Sequence, residues 1–260
     1  MTQKAIDLNS DVGESFGNYK LGLDEEVIPL ISSANIACGY HAGDPAVMRH
    51  TLDLAKRNHV GAGAHPGLPD LMGFGRRNMD ASLTELRDYV TYQLGALQAF
   101  AAFAGMKLQH VKPHGAFYTM AVANPAIWDV VAEVIAGIDD NLILFVLGGL
   151  DRSGLKEIGD KWGIRIAFEF FADRAYTPQG TLVSRKEPGA VIHDPERSAQ
   201  QVLQMVTEGS VTSIDGSVID LAGETVCVHG DNPQALNLVR HIRKTLAGAG
   251  VEIRPVGEFM

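Results

Sequence analysis

Polar and apolar positions alternate from the start of the chain. In Ala5-Ile6-Asp7-Leu8-Asn9-Ser10-Asp11, Ile6 and Leu8 face one way and Asp7, Asn9 and Asp11 the other, the period of a strand. A strand with an apolar outer face and a polar inner face suits a barrel that is covered by helices and whose interior reaches a site. The apolar run Asn35-Ile36-Ala37-Cys38 ends at Gly39. Tyr40 and His41 follow in a tight loop, and Asp44-Pro45 opens a helix that runs to Asn58. Asp before Pro is a strong helix start, because the carboxylate accepts from free N–H groups and Pro fits the first turn. The device recurs at Asn124-Pro125, Asp194-Pro195 and Asn232-Pro233, each after a strand-like run and before a helical pattern.

The remaining elements follow the same logic. Gly13 to Tyr19 is a turn-rich loop and Asp24 to Ile31 a short helix. Val60 to Ala64 is a strand ending in His65, and Pro66 to Ala81 is a loop longer than the usual connection. Ser82-x-x-Glu85 is a capping box heading Leu86, Val90, Leu94, Leu97, Ala101 and Ala104, until Gly105 stops the helix. Val111-Lys112 is a short strand, and Ile127, Val131, Val134 and Ile135 mark one side of the next helix. Strands at Leu142 to Leu147 and Arg165 to Phe171 flank a short helix near Ser153 to Gly159. A second long loop runs from Ala172 to His193 before a helix through Met205. Val211 to Leu221 holds one or two short strands around Asp215-Gly216, Thr225 to His229 is a strand, the last helix reaches Leu246, and Val251 to Ile253 closes the chain.

Alternating strands and helices imply an α/β fold of parallel strands with right-handed crossovers. About seven such units, with Asp7, Asn9, Lys112 and Glu169 on inner faces, favour a parallel β/α barrel over an open sheet, whose strands would be apolar on both faces. No low-complexity linker divides residues 1–260, so one domain is expected.

Composition narrows the partners. A net charge of −9 argues against nucleic acid and against a polybasic membrane surface, but leaves room for an anionic substrate at a local cluster of cations. Two cysteines make no disulfide framework and fit a reducing compartment. The first residues lead into a strand without a signal-peptide pattern, and no apolar segment is long enough to cross a bilayer, so the expected location is cytoplasmic.

In a β/α barrel the site lies at the C-terminal ends of the strands. Candidates fall there from six strand ends: Asp11 and Glu14, His41, His65, Lys112 and His114, Asp173 and Arg174 after the Glu169 strand, and His229 and Asp231 after Cys227. Asp11, His41 and His65 could bind a divalent metal, or form an acid–base network in which Asp11 orients a histidine. Lys112 shares parity with His110 and His114, so it points inward, to pair with Asp173, Glu169 or a substrate carboxylate, or to serve as a purely structural ion pair. Arg76 and Arg77 could clamp a carboxylate or phosphate, or be solvated. Cys38 and Cys227 read as small core residues, as do Trp128 and the Phe168, Phe170 and Phe171 cluster. Gly149 to Lys156 has the first spacing of a phosphate loop but lacks its Gly-Lys-Ser/Thr, and there is no Gly-x-Ser-x-Gly elbow.

Longer motifs run through the chain: Asp7-Leu8-Asn9-Ser10-Asp11-Val12-Gly13-Glu14, Ala34 to Asp44, His65-Pro66-Gly67 through Gly73-Phe74-Gly75-Arg76-Arg77, Val111-Lys112-Pro113-His114-Gly115-Ala116, Phe171-Ala172-Asp173-Arg174-Ala175-Tyr176 and Val228-His229-Gly230-Asp231. In these the sequence resembles the LamB/YcsF family over essentially its whole length. The resemblance implies a barrel like that of glycoside hydrolases and deacetylases. It also implies ATP-dependent opening of the 5-oxoproline lactam to L-glutamate, with Mg2+ accompanying ATP and with 5-oxoprolinase subunits B and C as partners. Under that implication Asp11, His41, His65, Lys112, His114, Asp173 and His229 are expected to be catalytic, and Glu14, Arg76, Arg77 and Arg174 to bind substrate. Lys112 and Arg174 would hold carboxylate or phosphate charge, a histidine would activate water or protonate the ring nitrogen, and Asp11 and Asp173 would orient those groups. The competing expectation is a metal-dependent amide or acetyl hydrolase acting alone on the Asp11, His41 and His65 ligands. A polypeptide that binds 5-oxoproline while partners do the phosphoryl chemistry is a third. A homo-oligomer is compatible with all three.

Overall fold

The structure, a computed structural model, describes residues 5–149, 151–229 and 233–260. Asp231 and Asn232, expected at a strand end and a helix start, lie outside the described residues.

Seven parallel strands close into a barrel: β1 (Ala5–Val12), β2 (Ser33–Ala37), β3 (Gly61–His65), β4 (Leu108–Val111), β5 (Ile143–Leu147), β6 (Arg165–Phe171) and β9 (Thr225–Cys227), with β9 pairing back onto β1. Two short strands between β6 and β9, β7 (Ser210–Thr212) and β8 (Val218–Asp220), form an antiparallel hairpin outside the barrel, around the expected Asp215-Gly216 turn. The last strand, β10 (Glu252–Ile253), pairs parallel with the start of β1 through Ala5↔Glu252. The strand count and the parallel sense agree with the reading of the sequence.

Helices cover the outside: α1 (Asp24–Val27), α2 (Pro45–Arg57), α3 (Leu83–Phe103), α4 (Gly115–Ala123), α5 (Pro125–Ile138), α6 (Arg152–Trp162), α7 (Pro195–Glu208) and α8 (Pro233–Gly248). Their starts are fixed as the sequence implied. Asp44 Oδ1 accepts from the N–H groups of Ala46 and Val47, Asn124 from Ala126, Asp194 from Glu196 and Arg197, and Ser82 with Glu85 forms the capping box. Each such cap is worth about 1 kcal/mol. The unforeseen element is α4: Gly115-Ala116-Phe117-Tyr118-Thr119 is apolar on nearly every face in sequence and shows no one-sided stripe, although the helix buries Ala116, Phe117, Tyr118 and Ala121 and leaves Thr119 exposed. Strand β4 starts earlier than the expected Val111, and β9 stops at Cys227, leaving His229 in the following loop.

Inside and outside separate as the β1 alternation requires. Ile6 and Leu8 join the main core under the helices, whereas Asp7 and Asn9 are buried in the barrel lumen. The lumen is itself divided. One side is apolar, with Ile143, Phe145 and Ala167 closed from below by Val256. The other is polar. Asp7 accepts from Ser32 and Ser33 hydroxyls at 2.7 and 2.6 Å and from Thr225 at 2.5 Å. Burial still pushes its pKa up to about 6. Gly63 makes room for this arrangement, because a Cβ there would come within 2.2 Å of the His110 ring, which stacks on Phe145.

Candidate functional site

Above the lumen floor, each inward residue holds the next. His110 Nε2 lies 2.7 Å from Asn35 Oδ1, so the histidine donates. The Asn35 amide donates to Asn9 Oδ1 at 2.7 Å and to Asp11 Oδ1 at 2.8 Å, and the Asn9 amide donates to Glu169 Oε1 at 2.9 Å and Thr225 at 2.7 Å. Lys112 rises into this network from the end of β4. Its Nζ is 2.9 Å from Glu169 Oε1, 3.0 Å from Asp11 Oδ1, 3.1 Å from Cys227 Sγ and 3.2 Å from Asn9 Oδ1. Burial alone would pull the ammonium down, but Asp11 and Glu169 beside it hold its pKa well above the ordinary lysine range. Burial would likewise raise Asp11, yet His65 and Lys112 keep it well below the ordinary carboxylate range. Glu169 is among the partners expected for Lys112; its other carboxylate partner is Asp11, not Asp173. Tyr118 of α4 donates to the other Glu169 oxygen at 3.0 Å.

A histidine cluster stands on one side of Asp11. His65 ends β3, and its Nδ1 is 2.6 Å from the Lys112 carbonyl. Its Nε2 is 2.9 Å from His114 Nδ1 and 3.3 Å from Asp11 Oδ2. His114 Nε2 is 2.9 Å from the carbonyl of Phe74, a residue held at φ 55° in the loop after β3. That loop is anchored by Gln93 of α3, which accepts from Gly67 N–H and donates to its carbonyl, each at 2.9 Å. His41 is wholly buried. Its ring lies parallel on that of His114, centroids 3.6 Å apart, with Nε2 3.2 Å from Glu14 Oε1. Burial keeps the His41 and His114 pKa values low and raises that of Glu14. Glu14 reaches the cluster because the Gly13 N–H donates to Asp24 at 2.9 Å, fixing the turn after β1.

On the opposite side, His229 Nδ1 is 2.7 Å from Asp173 Oδ2, and Arg185 Nη2 is 3.3 Å from His229 Nε2. Burial would lower the imidazole pKa, but the Asp173 carboxylate outweighs it and the shift is upward, while Asp173 is itself lowered. The two sides face a cleft of about 660 Å³. Asp11, Glu14, His65, Lys112, His114, His229 and the buried Arg174 line it, together with the exposed Arg76 and Arg185.

Of the sequence-derived site residues, His41 and Asp173 stand just behind the lining, each bonded to a residue that faces the cleft. Arg77 turns away, making a bidentate ion pair with Asp70, so only Arg76 of the adjacent pair reaches the cleft. Arg174 lines the cleft, but its guanidinium donates to the carbonyls of Val183 and Ala190 and braces the long loop after β6. Cys227, read as a core residue, contacts the Lys112 ammonium, with its thiol pushed up by burial. Arg185, Tyr118 and Glu169 join the site without a motif that marks them. Nothing local marks Arg185, on a loop with no period. Tyr118 and Glu169 carried weak signals, a polar group within an apolar helix and a carboxylate on an inner strand face.

Comparison with known proteins adds the following. A model of the LamB/YcsF family matches residues 6–260. The A subunit of 5-oxoprolinase from Pyrococcus abyssi is 55% identical over 255 residues, 98% of this chain and 99% of the relative, and that from Thermococcus sibiricus is 55% identical over the same spans. The crystal structure of a lactam utilization protein from Thermus thermophilus superposes with a TM-score of 0.90 at 44% identity, over 96% of this chain and 99% of that one.

Proposed function

The chain belongs to the LamB/YcsF family, and on that premise we propose that it is the lactam-handling component of an ATP-dependent 5-oxoprolinase. It is a hydrolase subunit that opens 5-oxo-L-proline to L-glutamate, working with partner subunits and with Mg2+-bound ATP as co-substrate. One juxtaposition supports the reading: the Asp173–His229 pair opens onto the same cleft as the guanidinium groups of Arg76 and Arg185. A small anionic amide needs such a pairing, a general acid–base beside cations that can hold its carboxylate.

A lactam carbonyl is a poor electrophile. Transfer of the ATP γ-phosphoryl group to its oxygen releases ADP and leaves a carbon that water can attack. The tetrahedral adduct expels the ring nitrogen, which takes up a proton, and the resulting acyl phosphate gives glutamate and phosphate with a second water. In this scheme Arg76 and Arg185 bind the substrate carboxylate and the phosphoryl oxygens. His229, oriented by Asp173, accepts the proton of the attacking water and returns it to the nitrogen. Lys112 holds Asp11 and Glu169 in place beneath the reacting atoms. The cleft has no glycine-rich phosphate loop among its described lining residues, which supports completion of the nucleotide site by the partner subunits.

The test is glutamate formation from 5-oxoproline and ATP, with this chain alone and with candidate subunits B and C. The expected result is ATP-dependent glutamate only in the reconstituted mixture. Absence of 5-oxoproline-dependent ADP release from every combination would overturn the proposal.

A further inference from the structure

His65 and His114 present an unbalanced pair of nitrogens. His65 Nδ1 faces the Lys112 carbonyl at 2.6 Å and His114 Nε2 the Phe74 carbonyl at 2.9 Å. A carbonyl oxygen only accepts, so both of these nitrogens carry their hydrogens. In a neutral imidazole the other nitrogen is then a bare lone pair. Those two bare nitrogens, His65 Nε2 and His114 Nδ1, lie 2.9 Å apart, and both rings are buried. A positive species has to lie against both, either a proton, which supplies the charge beside Asp11, or a metal cation in its place. Carboxylates already wait around them, with Glu14 Oε1 3.6 Å from His114 Nδ1 and Asp11 Oδ2 3.3 Å from His65 Nε2.

We propose that Glu14, His65 and His114 form a divalent-cation site of the zinc class, open toward the cleft. The three donor atoms lie within 4.8 Å of one another. Nitrogen and oxygen donors at about 2.0–2.1 Å from a tetrahedral ion are about 3.3 Å apart, and the distances found, 2.9 and 3.6 Å, bracket that edge. Outer imidazole nitrogens tied to carbonyls are the support that metal-bound histidines commonly have, because it fixes the tautomer and aims the ring. Three protein donors with a free position are the catalytic rather than the structural pattern, and such an ion would bind a water in the cleft and make it more acidic.

The ligand set differs from the Asp11, His41 and His65 combination that the sequence suggested. The His41 ring lies parallel to that of His114, at an interplanar angle of 3° and a centroid distance of 3.6 Å. Lone pairs in the planes of two rings so stacked cannot converge on one ion. His41 instead donates from Nε2 to Glu14 Oε1 and positions that carboxylate. An ion held here is measured directly, whichever reaction the cleft performs.

The test uses the full chain, stripped with a chelator and titrated with Zn2+ by calorimetry, with metal content determined by mass spectrometry and Co2+ visible spectra as a second readout. One equivalent is expected to bind, with intense d–d bands for Co2+. His65→Ala and His114→Ala should each weaken affinity more than 100-fold, and His41→Phe, which keeps the stack but loses the bond to Glu14, about 10-fold to 100-fold at one unchanged equivalent. Unfolding of an alanine variant would leave the wild-type titration to decide. No saturable binding by the stripped wild-type chain would overturn the proposal and show that the two nitrogens share a proton. Undiminished binding in a folded His114→Ala chain would overturn it equally.

Discussion

The imidazole of His229 and the carboxylate of Asp173 meet at 2.7 Å, although 56 residues of chain separate them. The contact joins the loop after β9 to the loop after β6 and turns His229 Nε2 toward the open cleft, with Arg185 at its edge.

If His229 is the proton acceptor, its free form exists only above its raised pKa. The acid limb of the rate–pH profile should therefore lie above the ordinary histidine value of 6.5. Asp173→Asn removes the carboxylate that raises it, leaving burial, Arg185 and Asp11 as the surrounding influences, and should move that limb to lower pH. His229→Ala should lower kcat by about 10²–10⁴-fold. Rate–pH profiles of the reconstituted enzyme check both, and an unmoved acid limb in Asp173→Asn would contradict the assignment.

Lys112 is the counter-charge for two buried carboxylates. Lys112→Met strands Asp11 and Glu169 without it and should destabilise the fold by about 3–5 kcal/mol. Adding Glu169→Gln removes one stranded charge, so the double variant should be more stable than Lys112→Met alone. Urea unfolding of the three chains measures this. Lys112→Met should also abolish glutamate formation wherever the fold is retained, and near-normal turnover would exclude the lysine from the mechanism.

Asp7 carries the opposite sign of linkage. Its folded pKa of about 6 lies above the ordinary 3.8, so the folded state holds a proton that the unfolded chain has released between these values. Stability from this residue therefore falls as pH rises from about 4 to about 6, by at most about 3 kcal/mol. Asp7→Asn keeps acceptors for Ser32 and Ser33 and removes the titration. Unfolding free energies at pH 4 and pH 7 should show the variant gaining on the wild type at the higher pH. Parallel curves would refute the shift.

The two adjacent arginines should separate kinetically. Arg76→Ala and Arg185→Ala, which remove cations from the mouth, should each raise the KM for 5-oxoproline by about 10-fold, the value of one lost charge-assisted contact. Arg77→Ala should leave KM unchanged, because its guanidinium is bonded to Asp70 within the loop. Steady-state kinetics of the three variants decide the matter.

What could be read in advance follows from the range of each interaction. The β1 alternation and the Asp-Pro and Asn-Pro helix starts depend on neighbours within a few residues, so strand count, parallel sense and most helices were legible. Strand ends gave the rim residues. Partners across the rim were only partly legible, because they depend on register and loop path: Lys112 meets the expected Glu169 but also Asp11, and Arg77 folds back on Asp70. Helix α4 lacked a one-sided stripe, and with it went the placement of Tyr118 against Glu169. Arg185 reaches His229 only through the path of the loop after β6, which no local pattern encodes.

The amides of Asn9 and Asn35 are pinned at both ends, each oxygen receiving and each nitrogen giving. One chain of donors therefore rises from His110 through Asn35 to Asp11 and, by way of Asn9, to Glu169, while a branch from Asn9 through Thr225 returns to Asp7. An isosteric Asn35→Asp exchange would change no volume, yet it would set an oxygen against the acceptors on Asn9 and Asp11 and interrupt that chain. The chemistry a solute meets at the opening is thus governed from layers it never touches.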